Sequence, residues 1–142
     1  MGLVLDASAS LAWLIDRVDP AEVRLADEVL RTIQSRDALV PALWFLEVAN
    51  GVLVAERSGG VTRSASASFM GLIYTLPIVE DSTRQSSAQP TVLTLARAHN
   101  LTAYDATYLE LVLRTSSVLA TFDGQLADAT RKAGGRVFGD PE

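Results

Sequence analysis

A chain of 142 residues is the size of one domain and long enough to bury a core of its own. Hydrophobic residues make up 49% and charged residues 20%, proportions that exclude a disordered chain, and the lack of cysteine excludes disulfides and thiolate metal sites. A formal net charge of −5 argues against a broad surface for nucleic acid, although eleven of the twelve basic residues are arginine, the side chain suited to bidentate phosphate contacts.

Residues 2–5 are an apolar run that reaches an acid at Asp6 with no basic segment before it, so it reads as a first strand rather than a signal peptide. A short helix is expected over 9–17, with Leu11, Leu14 and Ile15 on one side. Pro20 suits a helix N-terminus, and the helix after it carries Ala26, Val29, Leu30 and Ile33 at helical spacing. Residues 38–40, stopped by Pro41, form a short second strand, and 43–57 a strongly apolar helix that ends before Gly59 and Gly60. Another helix runs over 62–74, capped by Thr62, with Phe69, Leu72 and Ile73 inward; residues 77–80 are the third strand.

Pro90 is expected to limit how early the next helix can run, and that helix continues to Asn100. The stretch TAYDATYLEL, 102–111, is a further amphipathic helix, followed by a fourth strand over 117–122, a helix over 124–133, a turn at Gly134 and Gly135, and a fifth, edge strand over 136–138. Strands alternating with helices are the layout of an α/β fold with a mainly parallel sheet, in one compact domain without repeats. The longest apolar runs, such as 42–46, fall far short of a membrane span, so no membrane association is expected, and the lack of cysteine fits a cytoplasmic location.

Four acids stand where a core would not place them. Asp6 and Asp123 each end an apolar strand and precede a helix, and ligands of open α/β sheets sit in the crevice outside the carboxyl ends of the strands. Either could instead be a helix cap. Glu47 lies in ALWFLEVANGV with no lysine or arginine within a helical turn, so it must reach an opening, find a distant partner such as an arginine, or carry a desolvation cost. Asp105 shares the inward face of Leu109 and Val112, whereas Glu110 is rotated away and is expected to be solvated. Two carboxylates about 4 Å apart repel by about 4 kcal/mol at an effective dielectric of about 20. Convergence of the four therefore implies raised pKa values or a hard divalent cation, Mg²⁺ or Mn²⁺.

In order along the chain, LVLDAS, WFLEVAN, LTAYDATYLEL and LATFDGQLADA resemble the four acidic motifs of the PIN-domain family, and more narrowly its VapC-type toxins. The resemblance spans nearly the whole chain, 3–137. It implies a three-layer α/β/α sandwich with a central parallel sheet in the order 3-2-1-4-5. By the same resemblance Asp6, Glu47, Asp105 and Asp123 would hold one or two divalent ions, with Ser8 and Thr121 orienting carboxylates or water. The implied activity is endonucleolytic cleavage of RNA that leaves a 5′-phosphate and a 3′-hydroxyl. A homodimer and a cognate VapB-type antitoxin are the implied partners. Gly51, which lowers helix propensity just after the glutamate, is a mild departure from the pattern.

Other readings explain less. DASAS matches the D-x-S-x-S metal-dependent adhesion motif of von Willebrand A-type domains, a Mg²⁺-dependent binding module, but that leaves Glu47 and Asp105 without a role. A response-regulator receiver needs a lysine after its last strand, and the only lysine, Lys132, precedes it. A dinucleotide fold needs a glycine fingerprint after strand one, which LDASAS is not. A PIN-like domain with a structural role and little cleavage is the remaining alternative. His99, at a helix end, suits the helix dipole better than catalysis, and Trp13 and Trp44 suit packing better than base stacking.

Overall fold

Three apolar triplets, LVL, ALV and VLA, build the middle of a parallel sheet. In the computed structural model, which describes residues 2–141, they are β1 (Leu3–Leu5), β2 (Ala38–Val40) and β4 (Val118–Ala120). Val4, Leu5, Ala38, Val40 and Leu119 have no exposed surface. Strands covered on both faces read as continuous apolar runs, which is why these triplets show no polar alternation. The edges are β3 (Ile78–Glu80) and β5 (Arg136–Val137), kept short and partly exposed as edge strands commonly are. All neighbours pair in parallel, in the order β3-β2-β1-β4-β5. Helices flank the sheet, giving the α/β fold and strand order that the resemblance implies. The order reverses between β1 and β4, so the crevice at their carboxyl ends is the topological switch point.

The connecting helices are α1 (Ala7–Leu11), α2 (Pro20–Ser35), α3 (Leu43–Arg57), α4 (Arg63–Thr75), α5 (Gln85–His99), α6 (Ala103–Thr115) and α7 (Gly124–Lys132). Short polar side chains start several of them. Asp19 accepts from the amide of Ala21 beside Pro20, Thr62 from that of Ala65, and Asp123 from that of Leu126. Among the described residues no helix is long and apolar enough to cross a membrane. Trp44 is buried, and the Trp13 indole donates to the Ala26 carbonyl at 3.0 Å, so both tryptophans serve packing.

Two expectations are corrected. The first helix occupies Ala7–Leu11 rather than 9–17, because the carbonyl of Asp6 already accepts from Ala9 and Ser10 and starts the turn at the strand end. Ile15 is then left on an open loop, 42% exposed. Pro90 lies inside α5, which begins at Gln85. The missing N–H falls in the second turn, where the Ser86 carbonyl that would have received it belongs to a residue exposed to water.

Gly51 acquires a reason. A Cβ there would run into the Cδ atoms of Leu11, so a side chain at 51 requires Leu11 to shift where α1 packs on α3. Gly51→Ala gains about 1 kcal/mol of helix propensity, but displacing Leu11 costs about 1–3 kcal/mol. The expected result is a net loss of about 1 kcal/mol, read as a lower Tm by circular dichroism; an unchanged or higher Tm would show that Leu11 moves aside freely.

Candidate metal centre

Asp6 extends the ladder beyond β1: its amide donates to the carbonyl of Ala120 in β4 at 3.0 Å. This places its carboxylate at the switch point. Although Asp6 holds the N-cap position of α1, its side chain makes no capping bond. Instead Oδ2 accepts from the Ser8 hydroxyl at 2.7 Å and from the Thr121 hydroxyl at 2.6 Å. Each hydroxyl in turn accepts a backbone N–H: Ser8 from Phe122 and Thr121 from Asp123, both at 2.9 Å. A hydroxyl has one proton. Since both protons go to Asp6, the 3.2 Å approach of Ser8 to Thr121 is a contact rather than a bond. Ser8 and Thr121 thus hold the Asp6 carboxylate in place.

Glu47, in the second turn of α3, has its partner in a phenol rather than an arginine. Tyr108 of α6 donates to its Oε1 at 2.5 Å. Burial, then the charges of Asp6 and Glu47, holds the Tyr108 hydroxyl far above its ordinary pKa, so it keeps its proton and donates a hydrogen bond throughout the physiological range. Tyr108 is fully buried. Tyr108 lies 61 residues along the chain from Glu47, so no local sequence pattern joins the two.

Asp105 is not the cap of its helix. That part is taken by Thr102, whose hydroxyl accepts from the amide of Asp105 at 3.1 Å. The half-buried Asp105 carboxylate is left facing other acids. Burial raises its pKa first, then the charges of Asp123 and Asp6, to about 6. Burial likewise raises Glu47, opposed by the Tyr108 bond and reinforced by Asp6 and Asp105. Asp6 is raised by burial, opposed by its two hydroxyl partners and reinforced by Asp123. The charges that shift these three carboxyls are therefore all carboxylates, with no arginine or lysine balancing them.

As the side chains stand, no three carboxylate or histidine side chains among the described residues are close enough to grip one ion. Hydroxyl, phenol and amide donors engage Asp6, Glu47 and Asp123 instead. The four acids are a repelling ring rather than a closed cage. Its all-oxygen, anionic chemistry nonetheless fits a hard divalent cation.

The chain has the fold of two solved proteins. PAE2754 from Pyrobaculum aerophilum superposes with a TM-score of 0.68 at 23% identity, over 96% of this chain and 83% of that one. FitAcB from Neisseria gonorrhoeae superposes with a TM-score of 0.61 at 18% identity, over 96% of each chain. No protein-family model and no curated protein matches the sequence. The likeness at these identities is one of fold.

Other sequence expectations meet the structure here. Ser10, which an adhesion-type site would use, is fully buried and donates to the carbonyl of Ala7. Glu110 is not solvated: it is 6% exposed and paired with Arg114, Nε to Oε1 at 2.7 Å. Arg114 also reaches Asp81 at 2.6 Å, and α5 packs against α6, covering a face that a lone amphipathic helix would leave open. The i,i+4 spacing of Glu110 and Arg114 was the available signal. His99 sits in the last turn of α5, beside a hollow it shares with Lys132.

Proposed function

We propose that the chain is a metal-dependent endoribonuclease, and the toxin of a VapBC-type toxin–antitoxin pair. The observation that supports the nuclease reading is repulsion among acids near the switch point: burial and then neighbouring carboxylates, Asp123 among them, raise the pKa values of Asp6, Glu47 and Asp105, and no cation opposes the rise. Such repulsion is costly in a folded protein unless a ligand relieves it. Asp6, Glu47, Asp105 and Asp123 would hold Mg²⁺ or Mn²⁺, with a second ion completed by nucleic acid. Such an ion, when bound, supplies a water of lowered pKa and offsets charge developing on the phosphate.

The chain's own residues prepare that chemistry. Ser8 and Thr121 fix the Asp6 carboxylate against rotation, and Tyr108 fixes Glu47. Asp105, with no side-chain donor fixing it among the described residues and a pKa of about 6, is the acid freest to turn toward an ion or to hold a proton. Attack of water on an RNA phosphodiester with loss of the 3′-oxygen gives the 5′-phosphate and 3′-hydroxyl that the family resemblance implies.

The toxin assignment, the homodimer and the VapB-type antitoxin rest on that resemblance. One structural feature supports a protein partner: α3 turns Phe45, Leu46, Leu53 and Val54 outward, at 45%, 77%, 42% and 56% exposure, and Phe45 shares a hollow with Tyr74 of α4, itself 80% exposed. An apolar patch of this kind marks an interaction surface.

A panel of structured RNAs incubated with Mg²⁺ or Mn²⁺, with and without EDTA, tests the reading. Cleavage by the wild type alone, abolished by EDTA and by Asp6→Asn, with 5′-phosphate ends, is expected. Equal cleavage by wild type and Asp6→Asn would remove these residues from the chemistry. No cleavage of any RNA would favour a structural role.

A further inference from the structure

A cavity of about 470 Å³ adjoins the acids, with Thr121 and Asp123 in its wall. It lies between α2, the junction of β4 with α7, and residues 137–140, and apart from Thr121 and Asp123 its lining plays no part in the chemistry above. Leu25, Phe122, Ala127, Val137 and Phe138 make much of its lining apolar, and two of them are aromatic. Its charged groups are four carboxylates, of Glu22, Asp123, Asp128 and Asp140, against one guanidinium, Arg131. That guanidinium is occupied: Asp140 takes Nε and Nη2 at 2.8 and 2.9 Å, and Asp128 takes Nη1 at 3.0 Å. Arg17 reaches two of the walls from behind, paired to Glu22 and stacked 4.5 Å over the Phe122 ring.

This composition selects a class of ligand. A phosphate would meet acids on most sides and no unengaged cation, so the cavity disfavours anions. A flat, neutral, partly apolar group is favoured, and carboxylates accept hydrogen bonds from N–H edges. Glu22 has capacity for this: both bonds from Arg17 fall on Oε2, and none among the described residues falls on Oε1. The volume suffices for a base, and the shared wall at Asp123 puts it next to the candidate metal centre.

We propose that this cavity receives one nucleobase of the RNA strand beside the scissile bond and selects a base whose edge carries N–H donors, guanine above uracil. The identity of the strand as RNA rests on the ribonuclease reading; the base-binding property of the cavity stands or falls on its own. Phe122 and Phe138 supply the apolar walls, and Glu22 reads the edge. The N1–H and N2–H groups of guanine lie side by side and can both donate to the open Oε1 of Glu22, which has two lone pairs, whereas uracil offers a single N–H.

Metal-free ¹⁵N-labelled protein titrated with guanosine, inosine and uridine tests the proposal by amide shifts at Gly124, Ala127 and Gly139. Guanosine is expected to bind about fivefold or more tightly than uridine, with inosine, which lacks the 2-amino group, between them. Glu22→Gln should erase the preference, whereas Arg17→Gln, which breaks the ion pair and keeps the carboxylate, should retain it. Equal shifts from guanosine and uridine, no shift from any nucleoside, or loss of the preference in Arg17→Gln would each overturn the proposal. Because no cleavage is read, the two readings separate. RNA cleavage without base discrimination leaves the nuclease and removes the base site; base discrimination without cleavage does the reverse.

Discussion

Asp105→Asn is expected to lower Mg²⁺-dependent RNA cleavage by at least about a hundredfold and, at pH 7.5 without metal, to raise Tm. Both effects have one origin. The half-buried Asp105 carboxylate faces Asp123 and Asp6, and its pKa stands at about 6 instead of 3.8. A displacement of this size is worth about 3 kcal/mol, which half-exposure to solvent reduces to about 1 kcal/mol. The sign follows from linkage: the native state holds the proton more tightly than the unfolded chain, so the stabilisation is present below about pH 4 and is lost as pH rises through about 6. Asparagine removes that charge and with it this loss. Wild type and variant should therefore melt alike near pH 4 and diverge above pH 6, with the variant higher by a few degrees. A variant that melts lower than wild type at pH 7.5 would mean that Asp105 is not repelled by its neighbours.

Tyr108→Phe is expected to weaken divalent-ion affinity and cleavage by about 10–100-fold, the effect of losing the partner that orients a ligand. The phenol donates to Glu47 at 2.5 Å from a fully buried position, so its loss leaves the carboxylate half-buried with no compensating donor. Glu47 should then titrate higher still, because the Tyr108 bond is what opposes its burial. The cleavage profile of the variant is expected to move toward higher pH, a shift that mere loosening of the fold would not produce. Cleavage equal to wild type, with an unmoved pH profile, would show that Tyr108 packs the core and does nothing for Glu47.

The elements were legible where periodicity and caps agree. Residues 38–40 and 43–57 match β2 and α3 in full, and Thr62 caps α4 as its sequence suggests. The strand order came from the family resemblance, since no local pattern tells β1 which neighbours it will pair with. For the site, each local reading of an acid held part of the answer. Asp123 is both a helix cap and a member of the ring. Asp6 occupies a cap position and gives its carboxylate to Ser8 and Thr121 instead. Asp105 leaves the capping to Thr102. Glu47 and Glu110 show what one chain segment cannot carry: each is settled by packing across α6, through Tyr108 in one case and through Arg114 with α5 in the other. The first helix was misplaced because helical spacing of Leu11, Leu14 and Ile15 continues into a loop, where Ile15 faces solvent.

The central claim is that Asp6, Glu47, Asp105 and Asp123 form one divalent-ion site. A Mn²⁺ titration at pH 7.5, followed by electron paramagnetic resonance of the free ion, measures it without RNA. Wild type is expected to take up Mn²⁺ saturably, and Asp6→Asn, Glu47→Gln, Asp105→Asn and Asp123→Asn should each weaken binding by about tenfold or more. The same Mn²⁺ affinity in all five proteins would contradict the claim.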